Sequence, residues 1–593
     1  MDLPAPGAGS RGASASSALR RWTALPDVVL FLAATLVYAT ALPNQFTQDD
    51  FYYFVESDDV LTRPWVLFLK PFRDSGIYRP LTLLTFGANH AAGGLEPIGF
   101  HLLNVILHGA VTLLVYRVLR QLADDRGPAA ERDPRGRGRG AAFFGAPFAA
   151  ALLFAVHPIH AEAVAAVVGR AELLSTGLVL GAWLLHLADR RGAAAASFFL
   201  ALLAKEPAVA FLALAPLGDR VRGRPIRPSR YWPYAAAFAG YLVLRWLAVG
   251  APAMDRLAEL ENPLLSLPQP WRALNALVVA WRYVVLQIFP ATLSADYSFD
   301  SIPLTRSPGV LAAALAATLG ALAAWAWSAR RAPRAFLAGG IYLAGFAVTS
   351  NVLFLIPTIL GERLAYLPSA GLCLLAGLAY ERSAKQSRAL AIAVLAVVAS
   401  ALALRTAVRN LDWHDNFTLA VATVSAYPDN VKMSRNLGVL LLDSGQLEAA
   451  REHLERAYRL DPGYPDLLDS LAVLRFRQGD LPGALRFAGE AVRASTAEHP
   501  RRADFTLNLA GFLIQGGRLD EALPLLDRLI AEGSPSARAF GNRAVLHLRR
   551  NELDAARADF REALRLDPSD AQAARLLAEL DARATARGTG DSR

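Results

Sequence analysis

Long apolar blocks alternate with short polar connections over the first 409 residues. A helix that crosses a bilayer needs roughly 20 apolar residues, so this pattern predicts a polytopic helix bundle over 22–409 with about eleven spans. Residues 271–289 are apolar but contain Arg282, which is costly in lipid, and are predicted to lie at the outer interface or to re-enter. The predicted spans are 25–42, 100–120, 141–156, 172–188, two short arms within 193–218, 231–249, 307–329, 335–356, 365–381 and 389–409.

The pattern changes after residue 409, where charged residues become frequent and a repeat of 34 residues appears. Leu437 and Leu471 are one repeat apart, as are Ala450 and Ala484. A period of 34 with small residues at the helix crossings is typical of tetratricopeptide repeats, which stack as an α-solenoid. The sequence therefore predicts an all-α protein whose repeat domain covers 410–585, followed by a disordered tail at 586–593.

Charge predicts how the bundle is oriented. The chain is 54% hydrophobic and only 19% charged, and many of its basic residues stand in short connections such as 219–230. Cytoplasmic loops of membrane proteins are rich in Lys and Arg. We therefore attribute the net charge of +9 to such loops rather than to a surface that binds nucleic acid. Residues 1–21 then form a disordered cytoplasmic N-terminus, and the repeat domain is extracytoplasmic. Cys373, the single cysteine, leaves no disulfide and no cysteine metal site.

An acidic doublet follows the first predicted span in the stretch NQFTQDDFYYF. Orientation places Asp49 and Asp50 on the external side, with aromatic residues around them. Such a pair is commonly a solvated loop or a helix N-cap, but the aromatic flank and the segment 60–72 resemble an interfacial element beside the headgroups.

Further charged and polar residues stand at other predicted external edges. Arg79 is either a headgroup contact or a phosphate ligand, and the two dipeptides Lys205–Glu206 and Glu362–Arg363 are either internal ion pairs or site residues. His157 and His160 have the spacing of a metal pair but lack a convincing third ligand. We predict a site at the lipid–water boundary, with candidate donor-phosphate or substrate ligands Arg79, His157, His160, Glu162, Arg170, Lys205, Glu206, Glu362 and Arg363.

Several sequence motifs, and the order in which they occur, resemble those of one protein family. They are QDDFYYF, YRPLTLLTFGANHAAGGLEPIGFHLLNVILHGAVTLLVY, LLFAVHPIHAEAVAAVVGRAELLS, AKE, LSADYS and ERLAYLPSAGLCLL. With the repeats that follow, they resemble the transmembrane and tetratricopeptide-repeat O-mannosyltransferases, a branch of the GT-C glycosyltransferases. The resemblance covers about 25–585. One departure is Gln48, at a position that is often aromatic in relatives.

The resemblance implies an integral-membrane, inverting glycosyltransferase that moves a sugar from a polyprenyl-phosphate donor to a hydroxyl acceptor on the external face. It also implies catalytic roles for Asp49 and Asp50, with the repeat domain holding a protein Ser/Thr acceptor. The composition suggests a bacterial member in the inner membrane. Mannose is one candidate sugar, because the resemblance is to O-mannosyltransferases. A divalent cation, Mg or Mn, on the acidic pair is left open. The alternatives are a ligase or polymerase that uses polyprenyl-diphosphate glycans, and a non-catalytic membrane-anchored scaffold.

Overall fold

The computed structural model describes residues 25–73, 76–123, 144–250, 260–497, 499–532 and 536–590. The predicted disordered N-terminus lies outside these ranges, as do residues 124–143 and the last three residues of the predicted tail. Within the described ranges every regular element is a helix, which confirms the all-α fold. The chain divides into two compact units, Met1–Pro428 and Asp429–Arg593.

Together with short 3-10 and π-helical turns, the described part of the first unit contains sixteen α-helices. They are α1 (Leu25–Ala41), α2 (Asp58–Thr62), α3 (Pro80–Gly93), α4 (Pro97–Ala123), α5 (Ala146–Ala155), α6 (Ala161–Ala165), α7 (Arg170–Leu187), α8 (Arg191–Ala204), α9 (Phe211–Val221), α10 (Trp232–Val249), α11 (Trp271–Ile288), α12 (Pro308–Arg331), α13 (Pro333–Ala347), α14 (Tyr366–Ala384), α15 (Arg388–Leu411) and α16 (Asn416–Ala426).

Among the described residues, five helices are long and apolar enough to cross a membrane: α4, α7, α12, α14 and α15. A sixth span results if Ala146–Ala155 and Pro158–Ala165, which meet at a 50° bend, are one broken span. Their composition shows a membrane protein, whereas the total of eleven spans and the orientation stay predictions. Helices α12 and α15 expose most of their apolar surface, as expected of helices that face lipid.

The centre of this unit is formed by α4, α5, α7 and α14, which pack on one another. Their contacts bury aromatic and aliphatic residues such as Phe154, Trp183 and Tyr366. The two arms predicted within 193–218 are α8 and α9. Both pack on α7, while α8 also packs on α10 and α9 on α13. At the break between them the backbone of Lys205 is extended, and Glu206 begins a short 3-10 helix, Glu206–Ala210.

The second unit consists of successive helix pairs and a final single helix. They are α17 (Val431–Asp443), α18 (Leu447–Leu460), α19 (Pro465–Arg477), α20 (Leu481–Ala494), α21 (Arg502–Gln515), α22 (Leu519–Ala531), α23 (Ala537–Arg549), α24 (Leu553–Leu566) and α25 (Ala571–Gly590). The in-register residues Ala450, Ala484, Ala522 and Ala556 are all fully buried, so the small side chains stand where paired helices meet. The final helix packs on α24 and extends beyond residue 585 into the segment predicted as a tail.

Candidate functional site

Asp50 is buried and anchors its loop. Its Oδ2 accepts a hydrogen bond from the backbone N–H of Thr47, and its Oδ1 accepts one from Val168, both at 2.9 Å. Burial raises the pKa of this carboxyl to about 7, helped by the charge of Asp49, although the backbone donors act in the opposite direction. Asp50 therefore fastens the loop to the break before α7 and does not present its oxygens to a ligand.

Asp49 faces the other way. Half of its side chain is exposed, and its Oδ2 lies 3.8 Å from Nη1 of Arg363. It lines a cavity that is open to solvent. The other lining residues are Tyr53, Arg79, Thr82, Leu83, Phe86, Val168, Ala171, Lys205 and Arg363.

Arg363 is held at the rim of this cavity by Glu162. The Nη1 atom of Arg363 lies 3.0 Å from Oε1 of Glu162, and the backbone N–H of Arg363 donates to Oε2 of the same carboxylate at 2.8 Å. Glu162 is almost fully buried, whereas a third of the Arg363 side chain is exposed. A buried carboxylate thus fixes the direction of an arginine that still offers N–H donors to the cavity.

The two other cations of the cavity each have a carboxylate partner. Arg79 donates from Nε and Nη2 to Oε2 of Glu206 at 3.1 and 3.0 Å. The ammonium of Lys205 contacts the carboxylate of Glu172, and both side chains are nearly buried. The break between α8 and α9 therefore brings the adjacent residues Lys205 and Glu206 to two different ion pairs at one site.

Aromatic side chains explain how the acidic loop keeps its shape. Phe46 and Phe54 pack edge to face at 5.1 Å between ring centroids, and Phe54 stacks on Phe100. Tyr53 stacks on Phe72 and also lines the cavity. The predicted aromatic surround is thus partly a small hydrophobic core beneath the loop and partly a wall of the cavity.

Four predicted candidates lie away from the cavity lining. His157 bonds to the carbonyl of Gln287 at 2.7 Å, and His160 bonds to the hydroxyl of Ser369 at 2.8 Å. Arg170 donates to Oδ1 of Asn104 and to the carbonyls of Thr85 and Phe100, and its guanidinium lies over Phe86. These three buried side chains link helices together, which is a structural task.

Glu362 is the fourth of these residues. It is fully buried and accepts hydrogen bonds from the N–H of Ser294 at 2.6 Å and from the hydroxyl of Tyr297 at 2.7 Å. Its second oxygen lies 3.7 Å from Arg409. Glu362 thus joins the LSADYS stretch to the start of α14, and its neighbour Arg363 reaches the cavity instead.

The acidic pair does not fit a chelated divalent cation. Both oxygens of Asp50 accept hydrogen bonds from backbone N–H groups, so the two aspartates do not converge. Within the described part of the chain no three or more His, Cys, Asp or Glu side chains form a metal-binding group. We therefore derive no step through a metal.

Two residues of the site were not among the predicted ligands. Tyr53 belongs to the aromatic flank and lines the cavity. Glu172 stands in the same GRAELLS stretch as Arg170, but its pairing with Lys205, 33 residues later, is a tertiary contact without a sequence signal.

Comparison with known proteins agrees with both halves of the chain. Tetratricopeptide-repeat family models match residues 403–465, 470–538, 441–496 and 537–570. Protein O-mannosyl-transferase F38B6.6 of Caenorhabditis elegans is 28% identical over 454 residues, which is 74% of this chain and 63% of that protein. Protein O-mannosyl-transferase TMTC3 of Mus musculus is 26% identical over 86% of this chain and 59% of its own length.

Protein O-mannosyl-transferase TMTC4 of Mus musculus is 28% identical over 71% of this chain and 65% of its own length. The chain thus spans about three fifths of the length of these relatives. A solved structure, the crystal structure of the APC/C hetero-tetramer Cut9-Hcn1, aligns at 16% identity over 88% of this chain and 97% of that one. Its TM-score of 0.25 is too low to support an argument.

The fold and these matches define the class, a helical membrane protein that carries tetratricopeptide repeats. Within that class the chain is similar in sequence to protein O-mannosyl-transferases such as TMTC3 and TMTC4, which confirms the resemblance seen in its motifs.

Proposed function

We propose that this protein is a glycosyltransferase that moves a single sugar, with mannose the first candidate, from a polyprenyl-phosphate donor to a Ser or Thr hydroxyl of a protein. The observation that carries the proposal is the position of Asp49, a half-exposed carboxylate in an open cavity that Arg79, Lys205 and Arg363 also line. The reaction lies on the external side of the membrane, as the charge pattern predicts.

Asp49 is the best general base among the cavity carboxylates. An acceptor hydroxyl is a weak nucleophile and reacts faster when a carboxylate takes its proton. Glu206 accepts hydrogen bonds from the Arg79 guanidinium and Glu172 contacts the ammonium of Lys205, whereas the nearest cation to Asp49 is 3.8 Å away. Asp49 thus retains oxygen lone pairs that can accept a proton.

The bond changes balance without a further reactant. The acceptor oxygen bonds to the anomeric carbon as the bond between that carbon and the phosphate oxygen breaks. The proton of the hydroxyl passes to Asp49, and the bonding electrons leave with the polyprenyl phosphate. This single displacement inverts the anomeric configuration.

The leaving phosphate gains one negative charge, which the cavity cations are placed to stabilise. Arg79 and Arg363 keep 22% and 33% of their side chains exposed while their carboxylate partners hold them in place. Positioned cations facing developing charge are a common source of rate enhancement. The phosphate of the donor would then bind to two guanidinium groups that already form ion pairs with Glu206 and Glu162.

The repeat domain supports a protein acceptor. Tetratricopeptide solenoids present extended surfaces that bind peptides and proteins, and the relatives are named protein O-mannosyl-transferases. We propose that this domain recruits the acceptor. That role needs no catalytic residue from the repeats.

The test is transfer of labelled sugar from polyprenyl-phosphate mannose to protein by the purified full chain. We expect Asp49→Asn to lower transfer by at least 100-fold, since general bases contribute about 10²–10⁴-fold. A second Asp-Asp doublet provides a matched control: Asp58 is exposed in the first turn of α2, and Asp58→Asn should be fully active. Full activity of Asp49→Asn would reject the proposal, and a product mass above one sugar would favour a glycan ligase.

A further inference from the structure

A segment far away in sequence holds the loop that carries Asp49. This segment, residues 410–416, connects α15 to α16 and is called the strap below. The side-chain amide of Asn44 donates to the carbonyl of Asn410 at 3.0 Å, and the N–H of Gln45 donates to the carbonyl of His414 at 2.7 Å. A third bond joins the N–H of Gln48 to Oδ1 of Asn416 at 2.7 Å.

The third bond holds the backbone of Gln48, the residue directly before Asp49. Gln48 has a φ of 43°, in the left-handed region that residues with a Cβ rarely adopt. Such a conformation costs free energy at a residue other than glycine and persists where the surrounding structure holds it. The backbone of Gln48 affects where the next residue points, so Asp49 is held from one side by the bond to Asn416 and from the other by the anchored Asp50.

The strap is itself firmly held. Trp413 is buried with Ala41, Ala165 and Ala166, and the side-chain amide of Asn410 donates to the carbonyl of Val37 at 3.0 Å. Asp415 caps the start of α16 by accepting from the N–H of Thr418 at 2.7 Å. The strap is therefore a fixed support, and the acidic loop is the part that it orients.

We infer that Asn416 is a positioning residue for sugar transfer, which it supports by accepting the hydrogen bond that keeps Gln48 in its left-handed conformation. This inference rests on the proposed function, because Asp49 must do chemistry for its direction to affect the rate. The strap also lies within residues 403–465, which a tetratricopeptide-repeat model matches.

The test compares variants that keep or remove the acceptor atom. Asn416→Ala removes it and should lower kcat about tenfold or more with little change in donor KM, since misplacement by about 1 Å can cost 10² in rate. Asn416→Asp keeps an acceptor oxygen and should retain most of the activity. The neighbour Phe417 is 43% exposed, and Phe417→Ala is the control expected to match wild type.

The decisive variant adds Gln48→Gly to Asn416→Ala. Glycine adopts positive φ readily, so the double variant should recover a substantial part of the lost kcat. Absence of recovery, equal loss in Asn416→Asp and Asn416→Ala, or full activity of Asn416→Ala would each overturn the inference.

Hydrogen exchange tests the role of Asn416 independently of whether the protein transfers a sugar. The amide of Gln48 should exchange faster in Asn416→Ala than in wild type, and an unchanged rate would refute the role of Asn416 whatever the activity. Wild type that transfers no sugar would instead refute the proposed function.

Discussion

The Oδ1 atom of Asp50 accepts a hydrogen bond from the backbone N–H of Val168 at 2.9 Å, across 118 residues of sequence. This bond ties the loop after the first helix to the turn that begins α7. It also separates two neighbours that look equivalent in sequence, because Asp50 is fully buried whereas half of the Asp49 side chain is exposed. One aspartate holds the site together, and the other faces its cavity.

Asp50→Asn should lower stability as well as activity. The substituted amide has one acceptor oxygen, so one of the N–H groups of Thr47 and Val168 loses its partner. A buried unsatisfied donor costs roughly 1–3 kcal/mol. We expect a lower Tm at about pH 4, where Asp50 of the wild type keeps its proton in the folded protein, together with reduced transfer, whereas Asp49→Asn should keep the wild-type Tm. Loss of transfer by Asp50→Asn at an unchanged Tm would contradict the anchoring role.

The raised pKa of Asp50 predicts how stability changes with pH. Its ordinary pKa of 3.8 applies to the unfolded chain, while burial raises the folded value to about 7. Between these values the folded protein binds the extra proton, so this group makes the free energy of unfolding fall as pH rises from about 4 to 7, by on the order of 4 kcal/mol, and stay level above.

Thermal denaturation at several pH values checks this prediction. The profile of Asp50→Asn should lack the decline that wild type shows between about pH 4 and 7. Parallel profiles of the two proteins would show that Asp50 does not titrate in this window.

Gly169→Ala should disrupt the turn that presents the N–H of Val168. A Cβ at Gly169 would lie 2.3 Å from the carbonyl oxygen of Ala163 and 2.7 Å from that of Glu162, and these backbone atoms cannot move aside easily. We expect a fall in Tm together with lost transfer. The control is Gly181→Ala within α7, where the nearest contact is an ordinary 3.6 Å to Ser197, and it should be neutral or slightly stabilising.

Variants of the Lys205–Glu172 ion pair distinguish an effect on stability from an effect on donor binding. Lys205→Met leaves a nearly buried carboxylate without its partner, a change that typically costs about 3–5 kcal/mol. Replacing both residues by methionine should restore most of the Tm, yet the donor KM should stay raised because one cavity cation is gone. A wild-type KM in the double variant would assign Lys205 a purely structural role.

The convergence of charged residues could be predicted, but their individual tasks could not. Asp49, Arg79, Lys205 and Arg363 line one cavity, as the predicted external edges suggested. His157, His160 and Glu362 stand in equally polar stretches, yet their hydrogen bonds point into the protein. A polar residue in an apolar stretch indicates either a buried hydrogen-bond network or a functional site. The sequence does not distinguish the two, because polar groups need partners in both cases where no water is available.

The sequence by itself determined the helical class and the repeat domain. Apolar blocks and a 34-residue period are local patterns, and they direct which residues are buried whatever lies around them. The tertiary structure alone decided which aspartate is exposed, which cations share its cavity, and that Asn416 supports the acidic loop. These outcomes depend on contacts between residues from 33 to 368 positions apart, and a one-dimensional pattern carries no record of such contacts.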